Sequence, residues 1–305
     1  MLKFRRLFLG STNINFVKVG KIFFRVFIIE MILFVIVATL IATNYISLNL
    51  SIDFTGGTLY EIPTTKPIEA EQIELIIEEL SLDVTRYESI NNGESYRFRT
   101  VEGTISEEQT VLNELSLFFD IPEKDINFQR VGPTFGDEIS RLGLRALVIF
   151  VLFISLLITY RYQIRYALIA LIALMHDLLF CVSVYVLIGI EITPSTIIAV
   201  LTVLGYSLYD TVVIFDKLRD SQSKSKDSRS TLDSINKTFN EVLMRSINTS
   251  LTSIIPIASL LMVGNYLGLQ GALQDFAIPL LIGMLSGTYS SIFVTTPFIT
   301  KFFSN

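Results

Sequence analysis

Val203-Leu204-Gly205-Tyr206-Ser207-Leu208-Tyr209-Asp210-Thr211-Val212-Val213-Ile214-Phe215 sets a carboxylic acid deep in an apolar run, 194–215, that is long enough to cross a bilayer. Ser207, Asp210 and Thr211 stand at i, i+3 and i+4, so a helix gathers them on one face. Leu208, Val212 and Phe215 occupy the opposite face, fit for lipid or packing. Desolvating an ion costs several kcal/mol or more, so ionisable groups at this depth are rare and tend to mark ion or proton paths. Two readings of Asp210 fit. It either bonds to neighbouring hydroxyls and ties helices together, or it loads a proton from one side of a polar seam and releases it to the other.

The rest of the chain has the same character. Of its 305 residues 51% are hydrophobic and 17% charged. Runs over 27–47, 143–160, 166–188, 194–215, 247–267 and 276–299 approach or exceed the ~20 residues a spanning helix needs, which predicts six spans. The first is too long for a signal-peptide core and lacks a small-residue cleavage site, so it reads as an uncleaved anchor.

Basic residues set the expected orientation. Lys3, Arg5, Arg6, Lys18, Lys21 and Arg25 occupy residues 1–26, a segment that alternates bases with Phe, Leu and Ile as an amphipathic surface helix would. Arg161 and Arg165 follow the second span, the loop 216–246 is rich in Lys and Arg, and Lys301 is in the tail. The loops 189–193 and 268–275 hold no base. Both termini are therefore expected in the cytoplasm, and the segment 48–137 on the far side. That segment carries 18 acids against 6 bases, a balance of −12, so it offers phosphate no footing and nucleic acid is excluded as a partner. Cys181 lies in the third span, which leaves the outer segment without a disulfide.

Within 48–137 the pattern resolves into short elements. Strands are expected over Thr58–Pro63, Val84–Ile90, Ser95–Val101 and Ile126–Val131. Asn91-Asn92-Gly93 is a hairpin turn signal between the middle two. Helical periodicity runs over Pro67–Leu80 and again from Ser106 to Phe119. The order β-α-β-β-α-β is that of a ferredoxin-like domain. Asp53-Phe54-Thr55-Gly56-Gly57 forms a sharp exit from the first span, its paired glycines taking backbone angles other residues avoid. Gly132-Pro133-Thr134-Phe135-Gly136 returns the chain to the membrane as a linker, hinged or static. Residues 138–305 then hold the remaining spans. The loop 216–246 includes an amphipathic helix over Thr231–Met244.

Other residues join Asp210. Arg245 opens Arg245-Ser246-Ile247-Asn248-Thr249-Ser250-Leu251-Thr252-Ser253, where Ser246, Thr249, Ser250 and Ser253 line one face of the fifth span. A permanent cation there can hold Asp210 ionised by pairing and favour its protonation by leaving, or it can simply snorkel to lipid phosphates. Asp177, about 17 Å along the third span, is a second candidate proton station or a partner for polar groups on the fourth. His176 points roughly 100° away from it, and either joins a relay or bonds to a carbonyl. Gly283, Gly287 and Ser291, at i, i+4 and i+8, form a small-residue row for helix packing. One His and one Cys cannot build a structural zinc site, no phosphate-binding loop is present, and the residues before Asp210 lack the Gly-x-Gly-Asp of intramembrane aspartyl proteases.

Together these motifs resemble the SecF family, the smaller subunits of SecD–SecF protein-export complexes within the resistance-nodulation-division superfamily. The matching stretches are Ile14-Asn15-Phe16-Val17, Asp53 through Gly57, Gly132-Pro133, His176-Asp177, Gly205-Tyr206-Ser207 with Asp210-Thr211-Val212-Val213, Arg245 through Ser250, and Gly287-Thr288-Tyr289-Ser290-Ser291. Departures occur at Tyr209, where the family usually has a small polar residue, at Asp216-Lys217-Leu218-Arg219-Asp220, and at Ser246, where it usually has Thr. The resemblance implies a multi-pass protein of the bacterial cytoplasmic membrane without enzymatic activity or cofactor. Its implied partner is SecD, with which it supplies twelve spans. SecYEG and the translocating preprotein follow, with YajC and YidC as further candidates. Proton flow past Asp210 and Arg245 would drive outer-domain movement in late export. An exporter of small molecules or lipids on the same superfamily core is the alternative; a purely structural partner of the channel is a third reading.

Overall fold

The computed structural model describes residues 12–64, 73, 77, 84–90, 95–101, 103–222, 228–266 and 272–303. Among them six helices are long and apolar enough to cross a membrane: Phe16–Ala42, Thr134–Arg161, Ile164–Ile188, Pro194–Ser221, Thr231–Gly264 and Leu273–Phe302. The chain is a polytopic helical membrane protein. It divides into two compact units, Leu50–Arg145 and the remainder.

In the membrane unit, α1 (Phe16–Ala42) starts eleven residues before the run expected at 27–47. Nothing in 16–26 breaks a helix, so the basic segment continues into the span. The Asn15 side chain caps it by accepting the Lys18 N–H at 2.9 Å. One further first-turn donor, and the amide just before the cap, are met by the side chains of Asn236 and Asn240. Asn240 Oδ1 accepts from the Ile14 N–H at 2.8 Å, and Asn236 Oδ1 from the Val17 N–H at 2.9 Å. This matters in lipid, where no water is at hand for orphaned amides.

The unit Leu50–Arg145 begins with the single turn α2 (Ile52–Thr55), followed by strands β1 (Gly57–Pro63), β2 (Val84–Ile90) and β3 (Ser95–Thr100). Helix α3 (Ile105–Phe119) and strand β4 (Asn127–Val131) complete it. The strands form one antiparallel sheet in the order β2-β3-β1-β4. Alternation along the strands sends Tyr60, Ile62, Tyr96 and Phe98 to one face, where they pack with Leu115, Ile73 and Ile126. The cap of α3 is Thr104, not Ser106: Thr104 and Glu107 satisfy each other's backbone amides in a capping box. The helix expected over 67–80 and the turn at 91–93 lie outside the described residues, apart from Ile73 and Ile77.

Helix α4 (Pro133–Arg161) opens at the proline itself, so the expected linker is helical from its second residue. Proline is pre-organised for the first helical position and has no amide to leave unpaired there. Helix α5 (Ile164–Ile188) ends on Gly189 at φ +72°. Helix α6 (Pro194–Gln222) is opened by reciprocal bonds between Thr193 and Thr196. Helix α7 (Ser228–Tyr266) is one continuous rod, replacing the expected separate surface helix and span. No proline or glycine lies between Thr231 and Ile247 to divide them.

Helix α8 (Ala272–Tyr289) leads into a single π-helical turn, Ser290–Val294, and then α9 (Thr295–Phe303). In that wide turn the Thr295 N–H reaches back to the Ser290 carbonyl, and the Thr295 and Thr296 hydroxyls bond to the Ser291 and Ile292 carbonyls. The core of the unit is held by Ile169, Leu204, Phe215, Phe239, Ile292 and Ile299.

Candidate functional site

Asp210 on α6 is 8% exposed and accepts a hydrogen bond from the Ser246 hydroxyl of α7. One turn earlier, Ser207 is buried, and the Thr211 hydroxyl donates to its carbonyl at 3.1 Å. A cavity of about 20 Å³ adjoins Asp210 and is lined also by Ser207, Thr249, Ser250 and Ser253. That volume suits one water molecule, and the lining offers it several polar partners. Ser250 Oγ and Thr288 Oγ1 lie 2.5 Å apart, joining α7 to α8.

A second carboxylate lies on the other side of Ser207. Asp177 of α5 is fully buried and accepts three hydroxyl bonds, from Ser207 at 2.5 Å, Ser286 at 2.6 Å and Ser290 at 2.9 Å. These donors come from α6, α8 and the π turn, so Asp177 ties three segments at one point. Ser207 thus touches one acid and lies one turn from the other.

His176 joins the edge of that knot and links it to α1. Its Nδ1 is 3.4 Å from Asp177 Oδ1, and its Nε2 is 3.1 Å from Glu30 Oε2 on α1. The imidazole bonds to carboxylates, not to a backbone carbonyl. Tyr289 Oη donates to the same Glu30 oxygen at 3.4 Å. The rings of Phe27, Phe34, Phe180 and Tyr289 surround the imidazole at 5.7–6.3 Å between centroids. Glu30 is absent from the residues picked out by sequence, although an acid between Ile29 and Met31 in an apolar run is the same signal that marks Asp210.

Arg245 departs from the expected ion pair. Its Nη2 donates to Tyr209 Oη at 3.0 Å, and its guanidinium lies 5.9 Å from the centre of the Tyr209 ring. Ser246, one residue on and about 100° around the helix, takes the place against Asp210. Arg245 is exposed, and Thr249 bonds back to its carbonyl at 2.8 Å. Among the described residues no group of three or more His, Cys, Asp or Glu side chains could hold a metal ion.

Comparison with known proteins places this arrangement in a family. The model described as "Protein export membrane protein SecD/SecF, C-terminal" matches residues 113–305, and the SecD/SecF GG motif matches 48–68. The chain belongs to the SecD/SecF protein-export family. Protein translocase subunit SecF of Streptomyces coelicolor is 33% identical over 296 residues, covering 96% of this chain and 78% of that protein. SecF of Calditerrivibrio nitroreducens is 30% identical, covering 96% and 95%. The crystal structure of SecDF, a translocon-associated membrane protein from Thermus thermophilus, superposes with a TM-score of 0.80 at 26% identity, covering 96% of this chain and 39% of that one.

Tyr209 is the side chain that holds Arg245. In the GG motif, Gly56 and Gly57 have φ of +72° and +114°. A β-carbon at Gly57 would lie 2.5 Å from the Thr100 carbonyl oxygen, so the second glycine is needed for both angle and space. Asp53 accepts from Ser51 Oγ at 3.1 Å within the turn. At the other junction Gly132 has open space around it, whereas a side chain at Gly136 would strike the Phe54 carbonyl. The tight position is therefore Gly136.

The small-residue row is corrected in part. Gly283 packs on Val203 and Gly287 on Ser207, closing α8 onto α6. Ser291 falls in the π turn and donates to the Thr288 carbonyl of its own segment at 3.2 Å, so the regular i, i+4, i+8 row ends at Gly287.

Proposed function

We propose that this protein is the SecF-type subunit of a proton-driven accessory complex of Sec protein export. It pairs with a SecD partner and assists late polypeptide translocation. Relatives in which both names are joined, SecDF of Thermus thermophilus and of Bacillus subtilis, match this chain over about a third of their length, which supports the pairing. SecYEG, the emerging preprotein, YajC and YidC are the further partners in this reading, and the cytoplasmic membrane is its location. The distribution of basic residues supports cytoplasmic termini and an outer domain over 48–137. The sheet order β2-β3-β1-β4 supports a ferredoxin-like fold for that domain.

One observation carries the mechanism: Asp210 is buried between α6 and α7 on the Ser246 hydroxyl, beside a water-sized polar cavity. A carboxylic acid so placed gains or loses a proton with a small shift of α7. Arg245, one residue from Ser246, moves with it and alters the charge near Asp210. Asp177, His176 and Glu30 form the second station, reached from the first through Ser207. One charge crossing 100 mV releases about 2.3 kcal/mol, enough to bias two arrangements of similar energy.

The test uses inverted membrane vesicles containing the variant at wild-type abundance. Asp210→Asn is expected to abolish the proton-dependent part of late export, a loss of about tenfold or more. Wild-type rates in those vesicles would refute the proton role.

A further inference from the structure

At the basic end of the membrane helices, α1, α5, α7 and α9 enclose a cleft of about 790 Å³. Its walls are largely apolar, with Val17, Phe24 and Phe298 among them, and among the described residues its lining includes Lys21, Arg25 and Lys301 but no Asp or Glu. Lys21 and Arg25 are one turn apart on α1 and share a face with Phe24; Lys301 comes from α9. We propose that this cleft binds one anionic phospholipid, its phosphate held by Lys21, Arg25 and Lys301 and an acyl chain laid along the apolar wall.

The argument rests on how the neighbouring cations are used. Arg161 pairs with Asp216 at 3.5 Å, and Lys217 and Lys237 both pair with Glu241, at 2.6 and 3.9 Å. Arg165 donates to the Phe302 carbonyl at 3.2 Å. Lys21, Arg25 and Lys301 have no carboxylate within 4 Å among the described residues. Three unmatched cations above an apolar cleft complement a ligand with an anionic head and a hydrocarbon tail. Basic pockets between membrane helices bind such headgroups, whereas a lysine merely reaching lipid phosphates needs no cleft beneath it.

The experiment counts lipids retained by the purified full-length protein in native mass spectrometry, after exposure to mixed micelles of dioleoyl phosphatidylglycerol and dioleoyl phosphatidylcholine. One phosphatidylglycerol per chain is expected, preferred about tenfold or more over phosphatidylcholine. Neutralising all three cations (Lys21→Gln, Arg25→Gln, Lys301→Gln) should weaken its binding roughly a hundredfold. Thr300→Phe fills the cleft with the charges intact and should also lower occupancy. The control pair Lys217→Gln and Lys237→Gln should leave occupancy unchanged. Equal retention of the two lipids would overturn the proposal. So would an effect of the control pair matching the triple variant, or glycerol phosphate binding as tightly as the lipid. Occupation of the cleft by the chain's own first eleven residues, seen as cross-links to Phe24 without lipid uptake, also counts against it. None of these readouts depends on export.

Discussion

Gly287 of α8 packs so closely on Ser207 of α6 that a β-carbon added to the glycine would stand 2.8 Å from the serine's own. Ser207 in turn donates to Asp177 at 2.5 Å. The glycine therefore fixes how near α8 comes to the hydroxyl between the two buried aspartates. In lipid, where apolar contact gives helices no advantage over the surrounding tails, close backbone approach of this kind is a main source of association.

Gly287→Ala is expected to destabilise the protein despite alanine's better helix propensity. Overpacking costs about 1–3 kcal/mol, against a propensity gain of about 1 kcal/mol. Thermal unfolding in detergent should show a lowered midpoint. Gly132→Ala, with nothing within 4 Å of the added carbon, should leave the midpoint unchanged.

Replacement of Asp177 separates charge from hydrogen bonding. Asp177→Ala deprives the Ser207, Ser286 and Ser290 hydroxyls of their common acceptor, and each buried polar group left unpaired costs about 1–3 kcal/mol. The variant should lose at least about 3 kcal/mol or fail to accumulate. Asp177→Asn keeps an oxygen acceptor and should fold, so equal loss in both variants would contradict the hydroxyl knot.

Glu30 is accessible to a similar comparison. Glu30→Leu removes the acceptor shared by His176 Nε2 and Tyr289 Oη, leaving buried polar groups unmatched at a cost of about 1–3 kcal/mol. Glu30→Gln retains the acceptor. If Glu30 belongs to the second station, the glutamine variant shows wild-type thermal stability with reduced proton-dependent export. Unreduced export in that variant restricts Glu30 to holding the imidazole.

The sheet-containing unit carries a pH dependence of its own. Bonds from the Thr104 backbone and hydroxyl hold the Glu107 carboxyl below its ordinary 4.5. A depressed folded-state value means the stabilisation is complete above 4.5 and is lost as pH falls through the lower folded-state value. Amide exchange in the first turn of α3 should accelerate over that acid range; Thr104→Ala, which keeps the backbone donor, should weaken the dependence, and Glu107→Gln should remove it.

Much of this architecture is readable from residues. The strands declare themselves because Tyr60 and Ile62 flank Glu61, and Tyr96 and Phe98 alternate with Ser95, Arg97 and Arg99, and the core uses that period. Asp210 is legible because an acid in hydrocarbon has few benign explanations. Glu30 carries the same signal but is masked by the strength of the run around it. The choice between Arg245 and Ser246 as the partner of Asp210 is beyond periodicity, since both are polar and adjacent; helix rotation and the bulk of Tyr209 decide it. The unbroken α7 escapes because its first half is charged and its second apolar, a contrast that marks a change of solvent without any break in the backbone.

The wide turn at Ser290–Val294 gives the last membrane segment a spare residue. Each residue of a helix advances the side chains by about 100°, so drawing this turn tight would swing the Ser286 and Ser290 hydroxyls relative to whatever follows Val294. Slack of this sort lets one end of a rod rotate while the other stays anchored, without a severed backbone bond. Here the end before the turn grips Asp177, and the end after it carries Lys301.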